Sequence, residues 1–168
     1  RAGGAMLMRM WLFRPLSAWL LLRGSHAIGL QDQPIVGSDI FYLDGQWTAS
    51  TKLGCPEGRH AQPCEGDELS ISGKVPGDII SDLHASGVIG NPYYELNWLN
   101  SSIWDDHVWT YSTKFRAVPP GSLLVFEGVK MGARARLNGV EIGEFTDQFL
   151  RYTFELKEGV AAAAGENV

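Results

Sequence analysis

An all-β fold, a jelly-roll β-sandwich carrying one short helix, is what the sequence predicts, and three observations predict it. Short segments of two-residue alternation recur along the chain, and alternate residues of a strand share one face of its sheet. Turn signals punctuate them, at Asp44-Gly45, Pro76-Gly77, Pro119-Pro120-Gly121 and Asn138-Gly139. A single stretch, 78–86, has helical spacing with helix-type ends. Short strands separated by turns at regular intervals are the pattern of sandwiches and jelly rolls. The length, 168 residues with 45% hydrophobic side chains, suits one domain able to bury a core.

The strands begin only after an amino-terminal segment of different character. Arg9 and Arg14 supply positive charge, Pro15 to Leu22 form an eight-residue apolar run, and Ser25-His26-Ala27 is a small-x-small pattern. Residues 1–27 therefore read as a secretory leader and 28–37 as a linker. The run is far shorter than the ~20 residues a membrane-spanning helix needs. A buried amphipathic helix interrupted by Arg14 and Arg23 is the structural alternative.

From Phe41 to Ser50 the turn "DGQW" feeds the extended "WTAS". Cys55 and Cys64 follow in "LGCPEGRHAQPCEG", where Pro, Gly and charge make a loop. In a secreted chain a disulfide between them is expected. A metal site with His60 as third ligand lacks the paired spacing of structural zinc, and two free thiols are the plainest reading. In "ELSISGKV", Leu69, Ile71 and Gly73 alternate with Glu68, Ser70 and Ser72, a half-buried strand with a weak point at the glycine.

The helix over 78–86 has Asp78 as its cap, Ile79, Ile80 and Leu83 on one face, and Gly87 as a left-handed stop. It is short enough that packing must hold it. Beyond it, Trp109, Tyr111, Thr113 and Phe115 alternate with Thr110, Ser112, Lys114 and Arg116. "SLLVFEGV" is a mostly buried strand, and Asn138-Gly139 in "ARARLNGVEIGEF" signals a tight hairpin. In "LRYTFEL", Leu150, Tyr152, Phe154 and Leu156 oppose Arg151, Thr153 and Glu155. The Ala-rich tail "KEGVAAAAGENV" reads as an unstructured end.

The composition excludes some functions. Nineteen acidic against fourteen basic residues give a net charge of -5 with no basic block, which argues against nucleic-acid binding. No internal repeat and no phosphate-cradling glycine motif is present, so no cofactor is expected.

The segment "KVPGDIISDLHASGVIGNPYYELNWLN" is the one whose chemistry stands out. It sets Tyr93, Tyr94 and Trp98 beside Asn91, Asn97 and Asn100. Aromatic faces stack on the apolar side of pyranose rings while carboxamides bond their hydroxyls. Other polar groups have plainer readings. Neighbours on a strand point to opposite faces, so Asp105-Asp106-His107 suits a solvated turn better than an acid/base pair. His84 is ordinary helix surface. The Trp109/Tyr111/Phe115 face is either a carbohydrate platform or, on alternation grounds, core. Arg134 and Arg136 share a face and have Glu141 or Glu144 as cross-strand partners. Asp147 lies in a strand-joining turn, where capping is its plain role.

In order along the chain, "LDGQW", "VPGDIISDLHASGVIGNPYYELN", "WTYSTKF", "VFEGV", "ARLNGVEIGEF" and "FLRYTFEL" resemble the amino end of the β-mannosidases, members of glycoside hydrolase family 2. The resemblance spans about Phe41 to Val168 and is most specific from Val75 to Phe115. It implies a galactose-binding-like jelly roll over 38–168, the non-catalytic sugar-binding domain that walls the terminal-sugar pocket and braces a downstream TIM barrel. It implies substrate-binding roles for Asn97 and Asn100 with Tyr93 and Tyr94 as supports, and β-mannoside-containing glycans as partners. Trp98 departs from the family, where an acidic or polar residue is commoner. Asn100-Ser101-Ser102 is also an N-glycosylation sequon, and a glycan there would oppose a pocket-facing role for Asn100.

The family hydrolyses terminal β-D-mannose with retention, using two barrel glutamates. A barrel alone takes about 250 residues, so this chain is expected to lack catalytic residues. A further strand follows the "GENV" turn in the family, so the jelly roll is expected to be incomplete at its carboxyl end. Secretory localisation, lysosomal or extracellular, completes the expectation. A free-standing carbohydrate-binding module, a pure interdomain scaffold, and a β-glucosaminidase or β-galactosidase branch are the competing readings.

Overall fold

A computed structural model of the chain describes residues 10–14, 39–54, 66–100, 103–130, 132–161 and 165–168. Eleven strands are formed among these residues: β1 (Met10–Arg14), β2 (Asp39–Tyr42), β3 (Gly45–Lys52), β4 (Glu68–Val75), β5 (Thr110–Ser112), β6 (Phe115–Arg116), β7 (Leu123–Phe126), β8 (Ala133–Leu137), β9 (Val140–Phe145), β10 (Tyr152–Glu155) and β11 (Glu166–Asn167). Three short helices accompany them, α1 (Ile79–Ala85), α2 (Asn97–Asn100) and α3 (Ile103–Asp106). The predicted all-β class holds. The single expected helix is α1; α2 and α3 are additional single turns, too short to leave any periodic signal.

The strands form a four-stranded sheet in the order β10-β7-β1-β2, a three-stranded sheet β4-β3-β5, the hairpin β8-β9 and the pair β11-β6. Every ladder is antiparallel. Chain economy explains the crossing from one sheet to the other. β2 belongs to the first sheet and β3 to the second, with Leu43 and Asp44 between them and Gly45 at φ 129°, a conformation open to glycine. Trp47 then donates its indole N–H to the Leu43 carbonyl at 2.8 Å and fixes this corner.

The main core lies between these layers. Leu43, Trp47 and Val75 meet Phe115, Val118, Leu124, Phe126, Val129, Leu137, Phe145 and Leu156. Its centre is aromatic: Phe126 and Phe145 pack edge-on at 4.9 Å between centroids, and Phe145 meets Tyr152 at 5.0 Å. The ring of Phe154 lies where a side chain at Gly143 would go, so glycine is required at that point of β9. The outer strand β2 is tied in through Phe41, whose ring sits 6.4 Å from that of Phe115 and under the Arg116 guanidinium at 4.4 Å.

Several predicted elements are found as read. β4 alternates outward Glu68, Ser70, Ser72 and Lys74 with inward Ile71, Gly73 and Val75. Asn138 and Gly139 adopt φ of 50° and 82° at the tip of β8–β9, as a two-residue hairpin turn requires. Arg134 reaches Glu141 at 3.9 Å across that hairpin. Leu150 differs: it is 46% exposed, in the turn before β10 rather than on its inward row. That turn is held by the Tyr152 hydroxyl, which accepts from the backbone N–H of Thr146 at 3.0 Å and of Asp147 at 2.7 Å. Asp147 caps the turn, its Oδ1 accepting from the Phe149 N–H at 2.8 Å.

The segment read as a leader contributes β1, which the sequence reading did not place in the fold. Met10–Arg14 lies between β7 and β2, in register with both. In the tail, β11 lies against β6, with fully buried Asn167 opposite Phe115. The Asn138 carboxamide holds this strand: Nδ2 donates to the Val160 carbonyl and to Asn167 Oδ1, and Oδ1 accepts from the Val168 N–H.

Candidate functional site

The aromatic–amide segment forms a loop of its own on one flank, and a small second core carries it. Ala49, Ile71, Leu83 and Ile89 are buried there, with Leu69, Ile79, Ile80, Ile103, Trp104, Trp109 and Tyr111 packed around them. α1 lies on this face because its apolar residues share one side. Asp78 caps it: Oδ1 accepts from the Ser81 N–H at 3.0 Å and Oδ2 from the Ser81 hydroxyl at 2.8 Å. At the other end Gly87, at φ 71°, donates to the His84 carbonyl, and Val88 to that of Leu83, both at 3.0 Å. This is the glycine-dependent helix stop predicted for position 87, and it turns the chain outward into the loop.

A clasp beneath the loop joins helix to sheet. Asp82, 6% exposed, accepts the Tyr111 hydroxyl on Oδ2 at 2.6 Å and the Lys74 N–H on Oδ1 at 3.1 Å. Burial, and then the hydrogen bond to Asp82, push the Tyr111 phenol well above its ordinary value, since both oppose a second negative charge there. Gly73 makes room for Tyr111: a Cβ at that position would stand 2.9 Å from Tyr111 Cε1 and 3.3 Å from Ala49 Cβ.

Above the clasp, the loop is shaped by Asn91. Its Oδ1 accepts from the Tyr93 N–H at 2.9 Å, and its carbonyl accepts from the Tyr94 N–H at 3.1 Å and from Asn97 Nδ2 at 2.9 Å. Gly90 faces the Asn97 amide so closely that a Cβ would lie 3.0 Å from Nδ2. The far end is fastened where Trp109 donates to the Ile103 carbonyl at 3.2 Å and the Thr51 hydroxyl to that of Val108 at 2.8 Å.

The predicted site residues thus separate into two groups. Tyr93 is 96% exposed and Tyr94 60%, with Leu96, Trp98 and Leu99 similarly open. These rings are presented to solvent by a braced loop, a costly use of apolar surface. Asn97 is a tie that holds the loop's curve, donating inward to Asn91. Asn100 closes α2; its side chain lies outside the described residues, as do Ser101 and Ser102. Cys55, Cys64 and His60, named for a disulfide or a metal, also lie outside them. Sequence reasoning missed the Asp82–Tyr111 clasp. A polar residue at the fourth helical position, on the side of Ile79 and Leu83, was the available signal.

Other candidates take structural places. Asp105 and Asp106 are exposed in α3, as a solvated turn would have them. Phe115 is core, and Tyr111 packs into both clusters. His84 is exposed, its Nδ1 3.4 Å from the Ile89 carbonyl. Among the described residues no group of three or more His, Cys, Asp or Glu could hold a metal ion. No helix among them is long and apolar enough to cross a membrane.

Comparison with known proteins agrees with this architecture. A family model described as "Glycosyl hydrolase 2 galactose-binding domain-like" matches residues 47–168. The chain is 40% identical over 100 residues to "Probable beta-mannosidase" of Caenorhabditis elegans, covering 57% of this chain and 11% of that protein. It is 32% identical over 129 residues to "Beta-mannosidase" of Mus musculus, covering 73% and 13%. Against "Beta-mannosidase A" of Aspergillus terreus the identity is 31% over 103 residues, covering 59% and 11%. The matched part is thus about an eighth or less of each relative's length. No solved structure matches the chain significantly. With the family pattern running from Trp47 in β3 to Val168, the chain belongs to the glycosyl hydrolase 2 galactose-binding domain-like family.

Proposed function

We propose that this chain is the amino-terminal, non-catalytic domain of a β-mannosidase-like retaining exoglycosidase that acts on terminal β-D-mannose residues. The observation that carries the proposal is the family match over 47–168, together with the similarity to relatives named beta-mannosidase. Retaining hydrolysis needs two carboxyl groups about 5–5.5 Å apart, which a downstream TIM barrel would supply. The contribution of this chain is positional. Tyr93, Tyr94 and Trp98 offer faces on which a pyranose can stack, while Asn91 and Asn97 keep the loop in the shape that presents them. The remaining face of the sandwich would brace the barrel.

Delivery through the secretory pathway, to the lysosome or the cell exterior, belongs to the same proposal and is supported by the sequon at Asn100. A mass loss on enzymatic deglycosylation, abolished in Asn100→Gln, is the expected result.

The test of function uses the chain extended by its downstream coding sequence, assayed on aryl β-D-mannosides and the matching glucosides, galactosides and N-acetylglucosaminides. Preferential mannoside hydrolysis by the extended protein, with none by the 168-residue chain, is expected. Hydrolysis by the short chain alone, or preference for another sugar, would overturn the reading. The exposed rings also favour a second reading, a carbohydrate-binding module active without a barrel. Saturable binding of mannosides by the short chain, with no hydrolase encoded downstream, would select it.

A further inference from the structure

The strand β1 carries an inference independent of substrate. Three of the four residues of β7 are buried, Leu124, Val125 and Phe126 at 3%, 2% and 4% exposure, the profile of a central strand covered on both faces. A central strand needs a partner on each edge, because unpaired backbone N–H and C=O groups beside an apolar strand invite aggregation. β10 serves one edge of β7 and β1 the other. β2 is joined to this sheet by β1 alone among the described strands.

Register adds to the case. Leu12 stands opposite both Phe41 and Leu124, and Met10 opposite Phe126. Residues directly opposed in a sheet share a face, and Phe41, Leu124 and Phe126 all pack in the main core. Met10 and Leu12 are therefore in backbone register with core residues of the flanking strands.

Without β1 the gap would not close by simple collapse. Adjacent strands lie about 4.8 Å apart, so β2 and β7 flank a slot about one strand wide. Both run antiparallel to β1, hence parallel to each other. Bringing them together would require a different hydrogen-bond pattern. It would also draw Phe41 away from Phe115 and Arg116, which hold it now.

We propose that Met10–Arg14 is a resident structural strand of the folded domain, and that the slot between β2 and β7 is a specific acceptor for that segment. The leader reading and this assignment are mutually exclusive for these five residues: cleavage after Ala27 would carry the strand away, so the secretory delivery proposed above would need a targeting signal other than one cleaved there.

Hydrogen exchange on the unmodified chain tests the proposal first. The ladder amides of Met10–Arg14 should be protected at least tenfold over free-peptide rates, in step with those of Leu123–Phe126. Free-peptide rates at residues 10–14 would overturn it. Leu12→Pro in the full chain removes a backbone donor from the middle of β1. It should lower the melting temperature by several degrees and speed exchange in β2. It should also let a synthetic peptide of residues 8–16 bind saturably, while the wild-type chain, its slot filled, binds none. An unchanged melting temperature and β2 exchange in Leu12→Pro would overturn the assignment. So would a mature protein whose measured mass begins at Ile28.

Discussion

Replacing Tyr111 by Phe isolates the clasp between helix and sheet. The substitution keeps the ring that packs against Gly73 and both cores and removes only the hydroxyl donated to Asp82 at 2.6 Å. Asp82 is 6% exposed, so water cannot readily replace the lost donor, and the Lys74 N–H on the other oxygen is its remaining clasp partner. Hydrogen bonds to charged groups contribute about 1.5–3 kcal/mol net. We expect a loss of about 2 kcal/mol, which in a chain of this size lowers the melting temperature by about 4–8 °C. The effect has a pH signature. The Tyr111 phenol is raised above its ordinary value in the folded state. Its contribution is therefore fully present below the unfolded tyrosine pKa, about 10, and is lost progressively as pH rises above it. Urea denaturation at pH 7.5 and at pH 11, followed by tryptophan fluorescence, should show the gap between wild type and Tyr111→Phe narrowing in alkali. A difference below about 0.5 kcal/mol at pH 7.5, within the range of neutral surface changes, would refute the clasp as a stabilising contact. So would a gap that stays the same at both pH values.

The other predictions probe separate links. Gly73→Val should cost about 1–3 kcal/mol by overpacking, since its Cβ would meet Tyr111 Cε1 at 2.9 Å; thermal melts decide it, and a stabilised variant would contradict the packing described. Asp78→Ala removes the cap of α1 and should cost about 1 kcal/mol, read by chemical denaturation and absent if Ser81 finds another acceptor. Leu83→Ala, at a fully buried site of the second core, should cost about 2–5 kcal/mol and loosen the loop in hydrogen exchange before the main sandwich. Tyr93→Ala, at 96% exposure, should leave stability within about 0.5 kcal/mol yet weaken mannoside affinity or raise KM in the extended protein. Unchanged sugar kinetics would remove Tyr93 from the site.

What the sequence disclosed, it disclosed through local rules. The alternation of β4, the Asn138-Gly139 hairpin, the Asp78 cap and the Gly87 stop each depend on residues within a few positions of one another, and each is found. What it concealed depends on distant partners. Gly73 read as a weak point, whereas it makes room for a ring 38 positions along the chain. Leu150 follows the alternation on paper, but the Tyr152 hydroxyl gathers the preceding backbone into a turn and leaves it outside. Asn97 has the chemistry of a sugar ligand, and its bond to the Asn91 carbonyl shows up only once the loop is folded. β1 was hidden for another reason: an apolar stretch flanked by arginines has the composition of a leader and of a central strand alike.

Tyr111 belongs to both hydrophobic clusters, its ring shared between the sandwich and the platform beneath the aromatic loop. The platform beneath the loop and the body of the domain are thus joined through one packed ring. If the loop grips a sugar, occupancy should stiffen strands far from the ligand, and the domain should respond to its cargo as one rigid piece.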